Sequence, residues 1–244
     1  MITIIIPVAA IPTNPDTWVL EETLRSIRYH FPDNKIILTY DYPSEQYLHL
    51  LDNYNEFKKR IKNQFDNGNW GNIVQITFGE HMHQTGAFIE AMNLIDTEHI
   101  LYVEQDTPLI EKEMPWDKFC ELIDKGIADS IQLAHTTKIP DEHWHMMLDK
   151  EPRIIEGIPL IRTYQWSQRP HISSMSFYKM LFKEYVNGER GRYIEHIIYG
   201  QVVGEYLRNG WGKFKIYNYH PDDPNIQRST HLDGRKRLDR YSSF

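Results

Sequence analysis

Residues Ile2–Val8 form a short, apolar and largely β-branched run. A strand with one solvated face alternates apolar and polar residues, whereas a strand covered on both faces shows a nearly continuous apolar run. The run is punctuated by Pro7 and followed by Ala9-Ala10. This pattern predicts a first strand that lies inside a parallel sheet, and it limits the chain to folds that cover both faces of such a sheet.

A helix and a second strand are predicted directly after this run. Residues 14–16 are Asn-Pro-Asp, which supply capping oxygens and a proline suited to a first helical turn. Leu20, Leu24 and Ile27 then repeat at helical spacing. Residues 35–40 are typical of another buried strand. The predicted order at the start of the chain is therefore β-α-β.

The same alternation continues along the 244 residues. Further predicted strands are 74–78, 99–103, 128–135, 154–164 with a bend at Gly157 and Pro159, and 213–219; further predicted helices are an exposed one at 48–64 and others near 88–95, 174–186 and 192–207. Strands that alternate with helices indicate the α/β class. The length fits one domain, residues 1–244, with one half to about residue 110 and a second half from about residue 111.

The composition argues against several classes of protein. No stretch approaches the roughly 18 consecutive apolar residues of a membrane span, and no basic residue precedes the first apolar run, so a cytoplasmic chain is expected. The net charge of −7 disfavours broad attachment to nucleic acid or an anionic membrane, although residues 235–240 form a basic patch. Cys120 is the single cysteine, which excludes an intrachain disulfide framework.

Two carboxylates lie at the end of the predicted strand 99–103, in the sequence Glu104-Gln105-Asp106. Ligands of open α/β sheets bind at the carboxyl ends of the strands. Two carboxylates separated by one residue can both approach a hard cation, and Mg²⁺ or Mn²⁺ prefers oxygen ligands and shares its remaining positions with phosphate. Such an ion would stabilise a departing nucleoside diphosphate. The alternative is a structural pair that caps the next segment or binds Lys112.

The ordered set of motifs resembles the inverting nucleotide-sugar glycosyltransferases of the large family two type. The resemblance rests on Ile4-Ile5-Ile6-Pro7-Val8, on residues 20–27 (LEETLRSI), on Asp41 after the second strand, and on residues 99–106 (HILYVEQD). These motifs cover about the first 110 residues in the right order. The resemblance implies the A-type glycosyltransferase fold, with a mainly parallel central sheet flanked by helices, and a UDP-sugar as the favoured donor.

The resemblance also implies roles for residues near the nucleotide. Asp41 is expected to recognise the base or ribose, and the loop of Pro7, Val8 and Ala9 is expected to lie against the nucleoside. Asp41 could instead cap the turn before Pro43. The family motif is most often Asp-x-Asp, so Glu104 at its first position leaves open whether Asp106 alone binds Mn²⁺ or Mg²⁺ directly, with Gln105 between them on the donor side.

Glu195 is the expected catalytic base. The family places an acidic residue at the start of a helix in the second half, and residues 192–197 (RYIEHI) match that motif locally. At 100° per residue, Glu195 shares a stripe with Ile198, Tyr199 and Val202. Partial desolvation on such a face would raise the pKa of a carboxyl towards that of a useful base. The alternative is simple stabilisation of the first helical turn.

Histidines and arginines complete the predicted site. The resemblance implies a late histidine as a metal ligand, which His231 fits, with Arg228 or Arg235 as partners of the diphosphate. The pairs His81/His83 and His143/His145 lack a third ligand at recognisable spacing and are not expected to bind zinc. An aromatic set could form an acceptor platform or simply the core: Trp144, Tyr164, Trp166, Phe177 and Tyr178.

The sequence therefore predicts a metal-dependent inverting glycosyltransferase that moves a sugar from a nucleotide-sugar donor to an acceptor hydroxyl. The acceptor would be a glycan, or a hydroxymethylated base in viral DNA, which only the basic patch favours. A nucleotidyltransferase is the main alternative, but it normally brings a Gly-rich, basic loop after the first strand, and residues 9–14 have neither feature. A non-catalytic nucleotide-sugar-binding module is the other alternative.

Overall fold

A nine-stranded mixed sheet is the centre of the part of the chain described by the computed structural model, which comprises residues 1–134, 139–220 and 227–232. The strands are β1 Ile2–Val8, β2 Ile36–Tyr40, β3 Ile73–Thr77, β4 His99–Tyr102, β5 Ser130–Leu133, β6 Arg153–Ile155, β7 Ile158–Thr163, β8 His171–Ser174 and β9 Ile216–Tyr219. Their spatial order is β3-β2-β1-β4-β8-β5-β9-β7-β6.

Helices cover both faces of the sheet. They are α1 Trp18–His30, α2 Leu51–Asp66, α3 His83–Met92, α4 Trp116–Asp124, α5 Met175–Leu181 and α6 Ile194–Asn209. Short 3-10 helices lie at Glu45–Leu50 and Asp141–Met146, and a π-helical turn at Phe182–Val186 extends α5. Among the helices described, none combines the length and the apolar character that crossing a bilayer requires.

The strands β3, β2, β1 and β4 are all parallel, and only β7 and β8 run against the direction of the other strands described. The predicted mainly parallel sheet flanked by helices is confirmed. Its consequence is that the carboxyl ends of β1, β2 and β4, at Val8, Tyr40 and Tyr102, meet at one edge. Polar residues that follow these strands are thereby brought together.

Three features differ from the sequence-based prediction. Strand β8 pairs antiparallel with both β4 and β5, although no element was predicted for residues 171–173. It has four residues, two of them serines, so it is too short to show a periodicity. The predicted strand 154–164 is a hairpin of β6 and β7, whose turn places Glu156 and Gly157 at positive φ. Helix α4 was not predicted either.

The core consists of two apolar layers separated by the sheet. Ile4 and Ile6 of β1 face the layer that contains Leu24 of α1, whereas Ile5 faces the layer that contains Phe88 of α3. This explains why β1 has apolar residues at successive positions. Each fully buried side chain of this size stabilises the fold by roughly 1.5–3 kcal/mol.

The predicted aromatic set is divided between the core and the surface. Trp166, Phe177 and Tyr178 are buried in the second layer, together with Phe88 and Tyr102. Trp144 is exposed on the 3-10 helix Asp141–Met146, and Tyr164 stacks on Tyr206. The buried members contribute to packing and lie beyond the reach of an acceptor.

His171 of β8 is a buried imidazole with both nitrogens engaged. Its Nδ1 hydrogen-bonds the carbonyl oxygen of Arg169 at 2.7 Å, its Nε2 hydrogen-bonds the Tyr178 hydroxyl, and its ring stacks with Tyr102 and Tyr178. Burial lowers the pKa of His171 from 6.5 to about 4. The neutral imidazole is therefore the native form near neutral pH.

This pKa predicts a specific acid sensitivity. Below pH 6.5 the unfolded chain binds a proton at residue 171 that the folded protein excludes until about pH 4, so the stability present above pH 6.5 is lost as the pH falls. In urea unfolding at pH 7, the free energy of unfolding of wild type should exceed that of His171→Phe by about 2 kcal/mol, because wild type retains two hydrogen bonds that the variant lacks. This difference in the free energy of unfolding should decrease steadily towards pH 4.5. A gap independent of pH would contradict this, and exposed His49→Gln is the control.

Candidate active site

A cleft of about 450 Å³ opens at the carboxyl edge of β1, β2 and β4. Its position is the one at which open α/β sheets bind ligands, and its volume lies in the range of small-molecule sites. The described residues that line it are Pro7, Val8, Ala9, Ala10, Thr39, Asp41, Tyr42, Pro43, Ser44, Gln46, Tyr47, His81, His83, Gln84, Ala87, Glu104, Gln105, Asp106, Tyr193 and His231. This described lining contains three carboxylates and no lysine or arginine.

Gln105 positions the loop that follows β1. Its side-chain oxygen accepts a hydrogen bond from the Ala9 N–H at 3.1 Å, and its carbonyl accepts one from the Thr23 hydroxyl at 2.8 Å. The loop is also held at Val8, whose carbonyl accepts bonds from the Asp41 N–H and the Tyr54 hydroxyl. The predicted Pro7, Val8 and Ala9 loop thus forms a fixed wall of the cleft, with Gln105 as its support.

Asp41 lies in the cleft but is heavily engaged by the backbone. Its Oδ1 accepts from the N–H groups of Tyr42 at 2.9 Å and Met82 at 2.7 Å, and its Oδ2 accepts from the His83 N–H at 3.0 Å. His81 Nδ1 lies 2.9 Å from Oδ2. Asp41 therefore organises the start of α3, in addition to the turn before Pro43 that was the alternative role.

A wall of histidine and tyrosine rings borders the cleft on the α3 and α6 side. The His83 ring lies edge-on to Tyr193 with centroids 4.0 Å apart, and it also contacts His81 at 5.3 Å. His83 is held at a positive φ of 55° by the bonds around Asp41. Burial lowers the pKa of His83. These rings give one wall of the cleft an aromatic surface.

Glu104 is a carboxyl group with a strongly perturbed proton affinity. Its pKa is raised from 4.5 to about 8, chiefly by burial and also by the nearby charges of Asp106 and Glu195. The Gln84 side-chain amide donates to Oε1 at 3.3 Å. Without a cation, Glu104 is therefore protonated at neutral pH.

Asp106 is met by a segment from far along the chain. Residues 227–232 run beside residues 106–110 through an antiparallel bridge between Leu109 and Ser229, and the Leu232 N–H donates to the Asp106 carbonyl at 2.7 Å. This pairing places His231 Nε2 3.4 Å from Asp106 Oδ2. Of the predicted ligands, Asp106 and His231 are thus brought together, with Glu104 close by.

The donor set fits a Mn²⁺ or Mg²⁺ ion that is shared with a ligand. Carboxylate oxygen and imidazole nitrogen suit Mn²⁺, and Mg²⁺ is usually held by one or two carboxylates plus substrate phosphates. Within the described ranges, no three His, Cys, Asp or Glu side chains converge into a complete chelating group. The described side chains therefore supply at most part of a coordination shell, from Asp106 and His231.

Of the two arginines predicted for the diphosphate, the structure describes only Arg228. Arg228 lies outside the cleft lining, and its buried guanidinium is over the Tyr219 ring at 5.5 Å. Arg235 lies outside the residues that the structure describes. The described cleft therefore draws its possible positive charge from histidines.

Glu195 is the second residue of α6 and is linked to Glu104 by two glutamines. The Gln168 N–H donates to Glu195 Oε2 at 3.2 Å, the Gln168 side-chain amide donates to Gln84 Oε1 at 2.9 Å, and Gln84 in turn donates to Glu104. We call Gln84 and Gln168 the glutamine bridge. Sequence reasoning missed both, since a lone glutamine has no diagnostic spacing. The bridge holds the two predicted functional carboxylates in one connected network.

Comparisons with known proteins show similarity at the level of the fold. No protein-family model matches the sequence, and no curated protein matches it. The structure of S. aureus TarS 1-349 has a TM-score of 0.56 at 14% identity, over 95% of this chain and 60% of that chain. The complex of TarS 1-349 with UDP-GlcNAc has a TM-score of 0.53 at 13% identity, over 94% of this chain and 57% of that chain.

GalNAc-T7 with UDP, GalNAc and Mn²⁺ has a TM-score of 0.56 at 12% identity, over 96% of this chain and 44% of that chain. This chain therefore spans 60% or less of the length of these proteins. The predicted A-type glycosyltransferase fold of the nucleotide-diphospho-sugar transferases is confirmed.

The raised pKa of Glu104 predicts an effect on stability in metal-free protein. Above pH 4.5 the unfolded chain loses a proton that folded Glu104 keeps up to about pH 8, so stability falls as the pH rises. In urea unfolding with a chelator present, Glu104→Gln should leave the free energy of unfolding unchanged near pH 4.5. At pH 8 it should raise that free energy by on the order of 2 kcal/mol. Exposed Glu142→Gln is the control. An equal effect at both pH values would show an ordinary carboxylate.

Proposed function

We propose that the protein is a metal-dependent inverting glycosyltransferase that transfers a sugar from a UDP-sugar to an acceptor hydroxyl. The observation that carries the proposal is the approach of His231 to Asp106 after the end of β4, on the wall of the cleft that Glu104 also lines. The glutamine bridge joins Glu104 to Glu195. The cleft thus offers ligands for a cation and room for a nucleotide, and the glutamine bridge connects it to the candidate base Glu195, which lies outside the described lining.

Asp106 and His231 would hold Mn²⁺ or Mg²⁺, with Glu104 beside them. The bound ion supplies positive charge that stabilises the diphosphate leaving group. A diphosphate needs positive charge from a bound ion here, because the described cleft lining contains three carboxylates and no lysine or arginine. TarS in complex with UDP-GlcNAc and GalNAc-T7 with UDP, GalNAc and Mn²⁺ share this fold, which supports the choice of donor and ion.

Residues of this chain bind the nucleoside and accept the proton of the acceptor. The loop held by Gln105 and the rings of His83 and Tyr193 flank the nucleoside. Glu195 accepts the proton of the acceptor hydroxyl, whose oxygen then bonds to the anomeric carbon as the bond from that carbon to the diphosphate oxygen breaks. Direct displacement inverts the configuration at that carbon.

Binding of UDP tests the donor site. Isothermal calorimetry should show UDP binding in the presence of Mn²⁺ and much weaker binding with a chelator. Asp106→Asn should weaken binding with Mn²⁺ by at least about tenfold, or 1.4 kcal/mol, because the variant loses a charged ligand. Asp52→Asn, on the exposed side of α2, is the matched control. Binding of UDP that depends on neither the ion nor Asp106 would overturn the proposal.

Removal of the base separates chemistry from binding. Glu195→Gln should bind UDP and Mn²⁺ as wild type does, because its amide oxygen can still accept from the Gln168 N–H. The rate of UDP release from UDP-GlcNAc, with water as acceptor, should fall by about 10²–10⁴. Exposed Glu189→Gln is the control.

The anomer released first by wild type, followed by proton NMR, tests the stereochemistry. A UDP-sugar with an α linkage should give the β sugar. Release of the α sugar, or full activity in Glu195→Gln, would contradict the inverting mechanism with Glu195 as the base.

A further inference from the structure

Arg169 is a cation that the fold fixes beside Glu195. The residue before it, Gln168, donates its backbone N–H to Glu195 Oε2 at 3.2 Å. The Arg169 carbonyl accepts a hydrogen bond from His171 Nδ1 at 2.7 Å. The Pro170 carbonyl accepts one from the Leu133 N–H at 2.8 Å. Three consecutive residues are thus tied to α6, to the buried imidazole of β8 and to β5. The backbone that carries the guanidinium is therefore rigidly placed.

The guanidinium of Arg169 is poorly compensated by the protein. Burial lowers its pKa, and the charge of Glu195 offsets this only in part. Among the residues described, no carboxylate lies within ion-pair distance of Arg169, and its side chain makes one long hydrogen bond, of 3.4 Å to His143 Nδ1. A guanidinium carries five N–H donors. Partial burial of a charge without such partners among the described residues is unfavourable, so the guanidinium is suited to bind an external anion.

The chemistry of this partner follows from the group and its location. A guanidinium presents two parallel N–H donors that match the oxygens of a phosphate. Arg169 lies outside the residues that line the donor cleft, but its charge acts on the predicted base. An anion bound there would belong to the second substrate and not to the nucleotide.

We propose that Arg169, assisted by His143, binds a phosphate ester of the acceptor and so holds the acceptor hydroxyl at Glu195. The proposal rests on the proposed transferase function and narrows the acceptor to a phosphate-bearing class. A simpler role, in which Arg169 acts only as a counter-charge for Glu195, predicts no preference for a phosphorylated ligand. The two roles therefore differ in an equilibrium that can be measured without turnover.

The test compares glycerol 3-phosphate with glycerol, which share their hydroxyls and differ in the phosphate. Full-length protein with a chelator present, to keep the donor cation site empty, is titrated with each compound by calorimetry. Wild type should bind glycerol 3-phosphate and not glycerol. Arg169→Gln should weaken binding by at least about tenfold and Arg169→Lys by about threefold, since lysine keeps the charge but loses the fork. Arg208→Gln, an exposed arginine of α6, should bind as wild type does.

Two results would overturn the subsite. One is equal binding of glycerol 3-phosphate by wild type and Arg169→Gln, and the other is equal binding of glycerol and glycerol 3-phosphate by wild type. If circular dichroism shows that Arg169→Gln is unfolded, Arg169→Lys and His143→Ala decide the matter, because each should still weaken binding by about threefold. Unchanged affinity in both would count against the proposal.

A separate measurement keeps this inference apart from the transferase proposal. UDP binding with Mn²⁺ should be the same in Arg169→Gln and wild type, since Arg169 lies outside the donor cleft. If wild type fails to bind UDP while glycerol 3-phosphate binding still depends on Arg169, the transferase proposal fails and the anion subsite stands. If wild type binds UDP but shows no preference for glycerol 3-phosphate over glycerol, the anion subsite fails and the transferase proposal stands.

Discussion

The parallel pairing of β1 with both β2 and β4 determines where the polar residues of this protein gather. Val8 at the end of β1 is paired with Tyr40 at the end of β2, whereas Tyr102 at the end of β4 is paired with Ile5. The residues that follow β4 therefore pass beside the ends of β1 and β2, where Gln105 accepts a hydrogen bond from the Ala9 N–H. The residues that follow the three strands, including Asp41 and the Glu104–Asp106 segment, have to emerge at one edge. Burial of β1 on both faces makes this register costly to change, because a shift of one residue would turn apolar side chains out of their layers. The cleft exists because the core is built in this way.

The same constraint creates an electrostatic problem that the site has to solve. Burial disfavours a charge on Glu104, and the carboxylates of Asp106 and Glu195 add repulsion, so in the metal-free protein Glu104 retains its proton. A divalent ion would relieve the repulsion and release that proton. The glutamine bridge offers another kind of relief, since neutral amides connect Glu104 with Glu195 without adding a charge. The chain thus keeps both carboxylates in place while each remains available for a different task.

The local parts of this design could be predicted from sequence, and the long-range parts could not. The Glu104–Asp106 segment follows β4 directly, so strand prediction alone placed it at the sheet edge. Strand β8 is four residues long and owes its position to pairing with β4 and β5, which no local pattern encodes. Arg228 illustrates a related limit, because a sequence shows that a charge is present but not that it lies over Tyr219. The roles assigned to Glu195 and His231 stay predictions until the binding experiments are made.

The pairing of residues 227–232 with residues 106–110 has a consequence for how the site comes into being. Asp106 and His231 are more than a hundred residues apart in the chain, and their approach depends on a few backbone hydrogen bonds at Leu109, Ile110 and Leu232. Contacts of such sequence separation are slow to form, because a long loop has to close first. During synthesis, a nascent chain can complete β1 to β4 well before residue 231 has left the ribosome. The approach of His231 to Asp106 would therefore arise only after residues 227–232 have paired with residues 106–110.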